Sequence, residues 1–161
     1  MVWLLIIFCL AVVVSPLLWM KSSPRQQHIT ACRKKARDLS INVNLRRRPD
    51  ALEDEARIDT VYYWLPWLEA KNIQSWVLHC SSRRGWESPF EKWRWINNEA
   101  QSDWYEIISN CLARLPDGIT AIQLSKEGIG LVWDERGDIE SIEKIHISLL
   151  DLRRKGEEIF S

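Results

Sequence analysis

The first twenty residues of the chain, MVWLLIIFCLAVVVSPLLWM, contain no charged side chain. A helix of that length is about 30 Å long, which matches the hydrocarbon thickness of a bilayer. The sequence therefore predicts a transmembrane anchor at residues 1–20. Trp3 and Trp19 would lie about 24 Å apart along this helix, and indole rings prefer the two membrane interfaces. Pro16, near the inner end, predicts a kink that membranes tolerate.

The charge behind this apolar run is unevenly distributed. Nine Lys or Arg and one acidic residue, Asp38, lie between Lys21 and Arg48, so the remaining chain carries 13 basic and 21 acidic residues. Lysine and arginine close to the end of a span are retained in the cytoplasm. A cleaved signal peptide would need basic residues ahead of the apolar run and small residues behind it, and this chain has neither. The predicted topology is single-pass, with the N-terminus outside and the domain in the cytoplasm.

Residues 21–40 predict a basic juxtamembrane helix. Ser23 suits the N-cap of this helix and Pro24 its first position. A narrow apolar stripe runs along it, at spacings of three, four and three residues. Basic side chains cover much of the remaining surface, and we expect them to face anionic lipid. These lipid-facing residues are Arg25, Arg33, Lys34, Lys35 and Arg37.

Residues 41–161 are long enough for one domain, and their first half is typical of strands. Apolar and polar side chains alternate from Ile41 to Leu45, which predicts a half-buried strand. β-Branched and aromatic residues predict a second strand over 58–65, and alternation predicts a third over 74–80. A turn-rich loop over 81–89 and a short fourth strand over 92–96 follow.

Two helices and a hairpin complete the predicted domain. Asn98 and Gln101 have the spacing of a capping box, which predicts a helix that ends before Pro116. Alternation over 119–125 and 129–133 predicts a hairpin, and a last helix begins at Asp138. Runs of strands without βα alternation predict an α+β fold. In this fold class the transmembrane helix and the basic juxtamembrane helix precede a small, mostly antiparallel sheet packed with two amphipathic helices.

Aromatic and cationic side chains are interleaved in the segment Arg83–Trp95, RRGWESPFEKWRW. Such a segment is typical of a surface that stacks single-stranded bases, one that sits on lipid headgroups, or one that anchors a protein partner. Alternatively, Trp93 and Trp95 are core residues of a strand, and the charges form its solvent face. The candidate interaction surface comprises Arg83, Arg84, Trp86, Phe90, Trp93, Arg94 and Trp95.

The basic clusters at residues 33–35 and 46–48 raise the question of nucleic acid binding. Basic residues that follow a span set its orientation and contact anionic lipid, which accounts for these clusters without nucleic acid. Residues 46–48 can also pair with the acidic loop that follows. The formal net charge of the whole chain is zero, whereas nucleic-acid-binding domains are usually strongly basic. The sequence therefore disfavours nucleic acid as a partner.

The sequence shows no catalytic grouping of side chains. His79 and Cys80 are adjacent in a predicted strand, so their side chains point to opposite faces. Asp134, Glu135 and Asp138 lie together in a turn, and turn chemistry explains these carboxylates. The four cysteines are scattered, and the spacing of Cys and His satisfies no zinc pattern. The sequence therefore predicts a non-catalytic protein with no cofactor and no metal.

The first fifty residues have a layout that resembles a known family. After a Trp and a Lys behind the apolar run, SPRQQ leads into RKKARDL and then into an alternating strand ending RRRPD. This layout resembles small gammaproteobacterial inner-membrane proteins that are often labelled as the YajC-type accessory subunit of the preprotein translocase. Weaker similarities lie in the tryptophan-rich middle and in GLVWDERG at residues 130–137. The resemblance implies an accessory role beside a membrane complex and assigns no functional residue.

Together these features predict a single-span bacterial inner-membrane protein whose cytoplasmic domain binds a partner. The predicted role is a non-catalytic accessory or scaffold subunit, with the translocase as the complex that the resemblance implies. Its predicted partners are membrane lipid and a membrane protein, contacted through Arg83–Trp95 and the last helix. The alternatives are a lipid-surface or nucleic-acid-binding module that uses residues 83–95 and, last, an enzyme.

Overall fold

The computed structural model describes residues 2–4, 6–9, 12, 23–52, 55, 59–68, 73–80 and 82–159. The chain divides into two compact units, Met1–Thr30 and Ala31–Ser161, and we call the second the sheet unit. We label three helices, α1 (Pro24–Asp38), α2 (Tyr105–Leu112) and α3 (Ser141–Ile159). The strands that we label are β1 (Asn42–Arg47), β2 (Asp59–Pro66), β3 (Trp76–Cys80), β4 (Trp86–Glu87), β5 (Trp93–Ile96), β6 (Ile119–Leu124) and β7 (Gly128–Trp133).

The prediction of a transmembrane anchor at residues 1–20 is wrong. Within that stretch the structure describes residues 2–4, 6–9 and 12, which are helical and exposed and include Trp3; Pro16 and Trp19, like Lys21, lie outside the described residues. A membrane-spanning helix needs about 20 predominantly apolar residues. No helix in the described part of the chain is long and apolar enough to cross a membrane. The membrane-anchored fold class and the single-pass inner-membrane localisation are corrected accordingly.

Helix α1 begins where the sequence predicts. The Ser23 hydroxyl accepts a hydrogen bond from the Gln26 N–H at 3.2 Å, which confirms the N-cap. The helix ends at Asp38, and Ser40 then takes a left-handed φ of 61°. Cys32 and Ala36, one turn apart on the same side of α1, are fully buried in the core of the sheet unit. The end of α1 is therefore part of this core.

The sheet unit is an α+β fold built on a seven-stranded antiparallel sheet. Its strand order is β1-β2-β7-β6-β3-β5-β4, so β1 and β4 form the two edges. The residues of α3 that face the sheet alternate with exposed ones, as helical periodicity requires. The fully buried set comprises Ile142, Ile145, Leu149 and Leu152. We call the side on which these residues lie the helix face.

The opposite side of the sheet, which we call the second face, has a smaller apolar cluster. Tyr62, Ala121 and Val132 are almost fully buried there, with Trp64 packed against them. The strand register explains the division, because Tyr62 lies opposite Val132 and Val132 lies opposite Ala121. Neighbouring residues on one strand point to opposite faces, so Tyr63 contributes to the helix face instead.

The predicted strands and hairpin are confirmed, but the predicted start of α2 is wrong. The first helical turn is the 3-10 turn Ser102–Trp104, and the α-helix itself begins at Tyr105 rather than directly after Asn98. The Asn98 side-chain amide donates to the Ser75 carbonyl, and the residue before the 3-10 turn Ser102–Trp104, Gln101, makes no side-chain cap. Tertiary contacts of Asn98 therefore replace the capping box. The two-residue strand β4 lies within the segment that the sequence predicts as a loop.

The burial of α3 gives a test of this architecture on a single helix. We expect Leu149→Ala to lower the free energy of unfolding by about 2–5 kcal/mol, because it leaves a cavity between α3 and the sheet. Ile147, two residues earlier, is 52% exposed, and we expect Ile147→Ala to change stability by no more than about 0.5 kcal/mol. Urea denaturation of both variants measures the difference. Equal losses would show that α3 does not pack in this orientation.

Candidate functional site

The tryptophan- and arginine-rich segment Arg83–Trp95 contains the hairpin formed by β4 and β5 at one edge of the sheet. Its aromatic residues divide between core and surface. Trp95 is 1% exposed and meets Trp76 and Phe90 edge-on, with ring centroids 5.8 and 6.1 Å apart. Tyr105 stacks on Trp95 at 6.4 Å. Such ring pairs contribute about 0.5–1.5 kcal/mol each beyond their buried area, so this half of the segment has a structural role.

Trp86 is the exposed aromatic residue of the segment. All eight tryptophans of the sheet unit lie within the described residues, and Trp86, at 40%, is the most exposed of them. Its indole N–H donates to the Glu99 carboxylate at 3.2 Å. Arg83 and Arg84, which precede it, are also exposed. We call Arg83, Arg84 and Trp86 the hairpin patch.

The turn that presents the hairpin patch is closely packed against β5. Gly85 has a left-handed φ of 77°, and a Cβ atom there would lie only 1.8 Å from the Trp95 carbonyl oxygen, so no larger residue fits. The Arg94 guanidinium donates to the Gly85 carbonyl at 2.9 Å. A depression of about 440 Å³ lies beside this turn, partly lined by Phe90, Lys92 and Trp93. The predicted surface residues Phe90, Trp93 and Arg94 are thus half-buried rather than exposed.

A cluster of polar groups lies on the second face around the buried residues Asp50, His79 and Ser82, with Asp50 as the common partner. Its carboxylate accepts hydrogen bonds from the Arg48 guanidinium at 2.5 Å and from the Ser82 hydroxyl at 3.0 Å. His79 Nε2 lies 3.4 Å from Asp50 Oδ1, and the Arg84 guanidinium donates to the Asp50 carbonyl at 2.9 Å. We call Arg48, Asp50, His79, Ser82 and Arg84 the Asp50 cluster.

The geometry of the Asp50 cluster differs from that of a nucleophile with a base. The Ser82 hydroxyl donates to Asp50 rather than to His79, so the contacts described here do not place the imidazole to take the serine proton. Two cysteine thiols are also poorly suited to nucleophilic attack, since burial raises the pKa of Cys32 and raises that of Cys111 to about 12. None of the four cysteines, all within the described residues, forms a disulfide.

The predicted lipid-facing residues of α1 have different environments. Arg33 donates two hydrogen bonds, at 2.7 and 2.8 Å, to the carboxylate of Glu135, and Lys35 lies 2.8 Å from Glu143. Arg25, Lys34 and Arg37 are exposed. Two of the five basic side chains are thus bound to carboxylates of the same protein.

Glu135 is a residue whose role the sequence does not reveal. Its side chain is 5% exposed and accepts hydrogen bonds from Arg33 and from the Tyr63 hydroxyl, the latter at 2.7 Å. Burial, followed by the bond to Glu135, raises the pKa of Tyr63. The φ of Glu135 is 58°, which is uncommon for a residue other than glycine. In the sequence, Glu135 lies in an acidic turn, which suggests only a role in the turn. Its partner Arg33 could not be predicted, because it lies about a hundred residues away in sequence.

A second cavity, of about 330 Å³, lies on the second face close to the Asp50 cluster. Arg48, Thr60, His79 and Val132 are among its lining residues. Among the described residues, no group of three or more His, Cys, Asp or Glu side chains is placed to hold a metal ion. Comparisons with protein-family models, with curated proteins and with solved structures find no match to this chain.

The Asp50 cluster predicts a particular dependence of stability on pH. Burial raises the pKa of the Asp50 carboxyl, but the His79 ring, the Ser82 hydroxyl and the Arg48 guanidinium together hold it below its ordinary value of 3.8. A lowered pKa in the folded state stabilises the protein above about pH 4, and this contribution is lost as the pH falls through the folded-state pKa. We expect Asp50→Asn to cost about 1–3 kcal/mol at neutral pH and to flatten the loss of stability below about pH 4. Urea denaturation at a series of pH values measures both effects.

The matched control for this experiment is Asp151→Asn. Asp151 accepts from Arg114 at 2.8 Å in a more exposed ion pair, which we expect to contribute less than about 1 kcal/mol. Two results would contradict a stabilising role of the cluster. One is a loss of unfolding free energy in Asp50→Asn no greater than in Asp151→Asn, and the other is an unchanged decline of stability below about pH 4 in Asp50→Asn.

Proposed function

We propose that this protein is a non-catalytic binding module that contacts a protein partner through the hairpin patch, as an accessory or scaffold subunit of a larger assembly. The observation that carries the proposal is the exposure of Trp86 beside Arg83 and Arg84. Tryptophan and arginine are the residue types most enriched among those that dominate binding energy. The accessory role is also what the resemblance of the first fifty residues to YajC-type proteins implies.

The surroundings of Trp86 favour a contact role over a packing role. The sheet unit has a well-formed aromatic core one strand away, yet Trp86, directly opposite Trp95 in the register, remains 40% exposed. Its N–H already bonds to Glu99, so a partner would mainly cover the apolar part of the ring. The Arg94–Gly85 hydrogen bond and the tight turn at Gly85 fix the backbone, which lowers the entropic cost of binding.

The division of aromatic residues also bears on the choice between protein and nucleic acid. A stacking platform for single-stranded bases needs several accessible aromatic faces along a positively charged groove. In the segment Arg83–Trp95, the described side chains expose Trp86, whereas Trp95 is in the core and Phe90 and Trp93 are half-buried. One ring with flanking arginines matches a protein hot spot better than a base-stacking surface.

Truncation of Trp86 tests the proposal. We expect Trp86→Ala to weaken binding of the partner by about 2 kcal/mol, or roughly 30-fold in Kd, without lowering the thermal stability of the sheet unit by a comparable amount. The partner is first identified by crosslinking and mass spectrometry in cells that express the full chain, and its Kd is then measured by calorimetry. Leu68→Ala is the control, since Leu68 is 71% exposed and lies outside the hairpin patch.

Two results would overturn the proposed function. One is the lack of any stoichiometric crosslinked partner in those cells. The other is a partner whose affinity falls equally in Trp86→Ala and Leu68→Ala, because binding would then not depend on the hairpin patch.

A further inference from the structure

The edge of the sheet opposite the hairpin patch is formed by β1. This strand is six residues long and pairs with β2 along its whole length, from Asn42 opposite Trp64 to Arg47 opposite Asp59. Among the described residues, no strand pairs with its other side. An exposed strand edge presents main-chain N–H and C=O groups that can pair with another extended chain. Four of the six β1 residues are exposed.

A groove beside β1 would receive side chains of such a chain. It has a volume of about 260 Å³ and is lined by residues of α1, β1 and β2: Arg33, Arg37, Val43, Asn44, Leu45 and Val61. Val43 and Leu45 point to the helix face, as their register with Tyr63 and Val61 shows. Leu45 is 61% exposed, so its side chain is available for contact. Every second side chain of an added strand would lie over Val43 and Leu45.

The charge at the groove determines which chain fits. Of the two arginines that line the groove, Arg33 is neutralised by Glu135 at 2.7 Å. Arg37 is exposed, and its described hydrogen bond goes to the Arg33 carbonyl at 3.3 Å rather than to a carboxylate. The groove therefore retains positive charge next to an apolar strip. A second copy of β1 would bring a second set of arginines to this edge, which like-charge repulsion disfavours.

We propose that the β1 edge binds an extended acidic peptide segment of a partner protein as an eighth strand of the sheet. In this arrangement main-chain hydrogen bonds to β1 hold the peptide, an apolar side chain covers Leu45, and a carboxylate pairs with Arg37. Strand addition of this kind derives affinity from the backbone and specificity from alternate side chains. The site lies at the other edge from Trp86, so it does not depend on the hairpin patch.

The experiment is a selection of random peptides of about ten residues, long enough to cover a typical strand, on the full chain. We expect the enriched peptides to alternate apolar and acidic residues. A synthetic peptide with the enriched sequence should lose at least about tenfold in affinity against Arg37→Glu and against Leu45→Asp. Its variant with N-methyl groups on alternate backbone amides keeps the side chains, removes the donors and should not bind.

The matched control is Arg83→Glu, an equal charge reversal at an exposed arginine of the opposite edge. It should leave the affinity of the peptide unchanged, as should Trp86→Ala, so that failure of this proposal and failure of the proposed function are distinguishable. The proposal is overturned by selected peptides without acidic bias, by equal affinity for Arg37→Glu and the unmodified chain, or by full binding of the N-methylated peptide. A dimer of the free chain that Leu45→Asp dissociates would also overturn it, because a second copy would then occupy the edge.

Discussion

In the described part of the chain, the sheet is covered by helices, including α3, on one face only, so side chains of the sheet itself must cover the apolar groups of the second face. The rest of the structure depends on that covering. Tyr62 provides the central seal by lying across Gly130, where a Cβ atom would come within 2.3 Å of the phenol ring. Only glycine allows this approach, and Tyr62 is 1% exposed as a result. The Arg46 guanidinium lies 4.6 Å above the Tyr62 ring and is itself held by Glu127. One layer of side chains, held in part by this cation–π contact, thereby shields the apolar groups of the second face from water, as the helices do on the helix face.

The Asp50 cluster extends this seal toward β3. A buried carboxylate is costly unless its neighbours compensate for lost solvation, and Asp50 has Arg48, Ser82 and His79 around it. These contacts tie the chain that follows β1 to β3 and to the residues after it, which are distant in sequence. A similar arrangement on the helix side joins α1 to the turn after β7 through Arg33 and Glu135. The charged side chains of the Asp50 cluster and the Arg33–Glu135 pair thus connect segments that are distant in sequence.

Local periodicity was sufficient to predict the β6–β7 hairpin and the strand that contains Val43 and Leu45. It failed where one long-range contact decided the outcome. Asn98 donates a hydrogen bond to Ser75 instead of capping α2. Glu135 accepts hydrogen bonds from Arg33 and Tyr63, and no local sequence pattern indicates these two partners. The apolar run at residues 1–20 predicted a span, whereas no helix in the described part of the chain is long and apolar enough to cross a membrane.

The same division of contacts limits where this protein can bind a partner. Apolar groups of the helix face are covered by α1, α2 and α3, and those of the second face by Tyr62, Arg46 and the Asp50 cluster. Apart from the cavity of about 330 Å³ on the second face, the exposed large apolar side chains of the described strands lie at the two edges, Leu45 on β1 and Trp86 on β4. The two edges differ in chemistry: β4 presents an exposed tryptophan, whereas β1 is an edge strand with an exposed leucine and the exposed Arg37 beside it. Two edges of such different character favour two different kinds of contact, one with a folded surface and one with an extended chain.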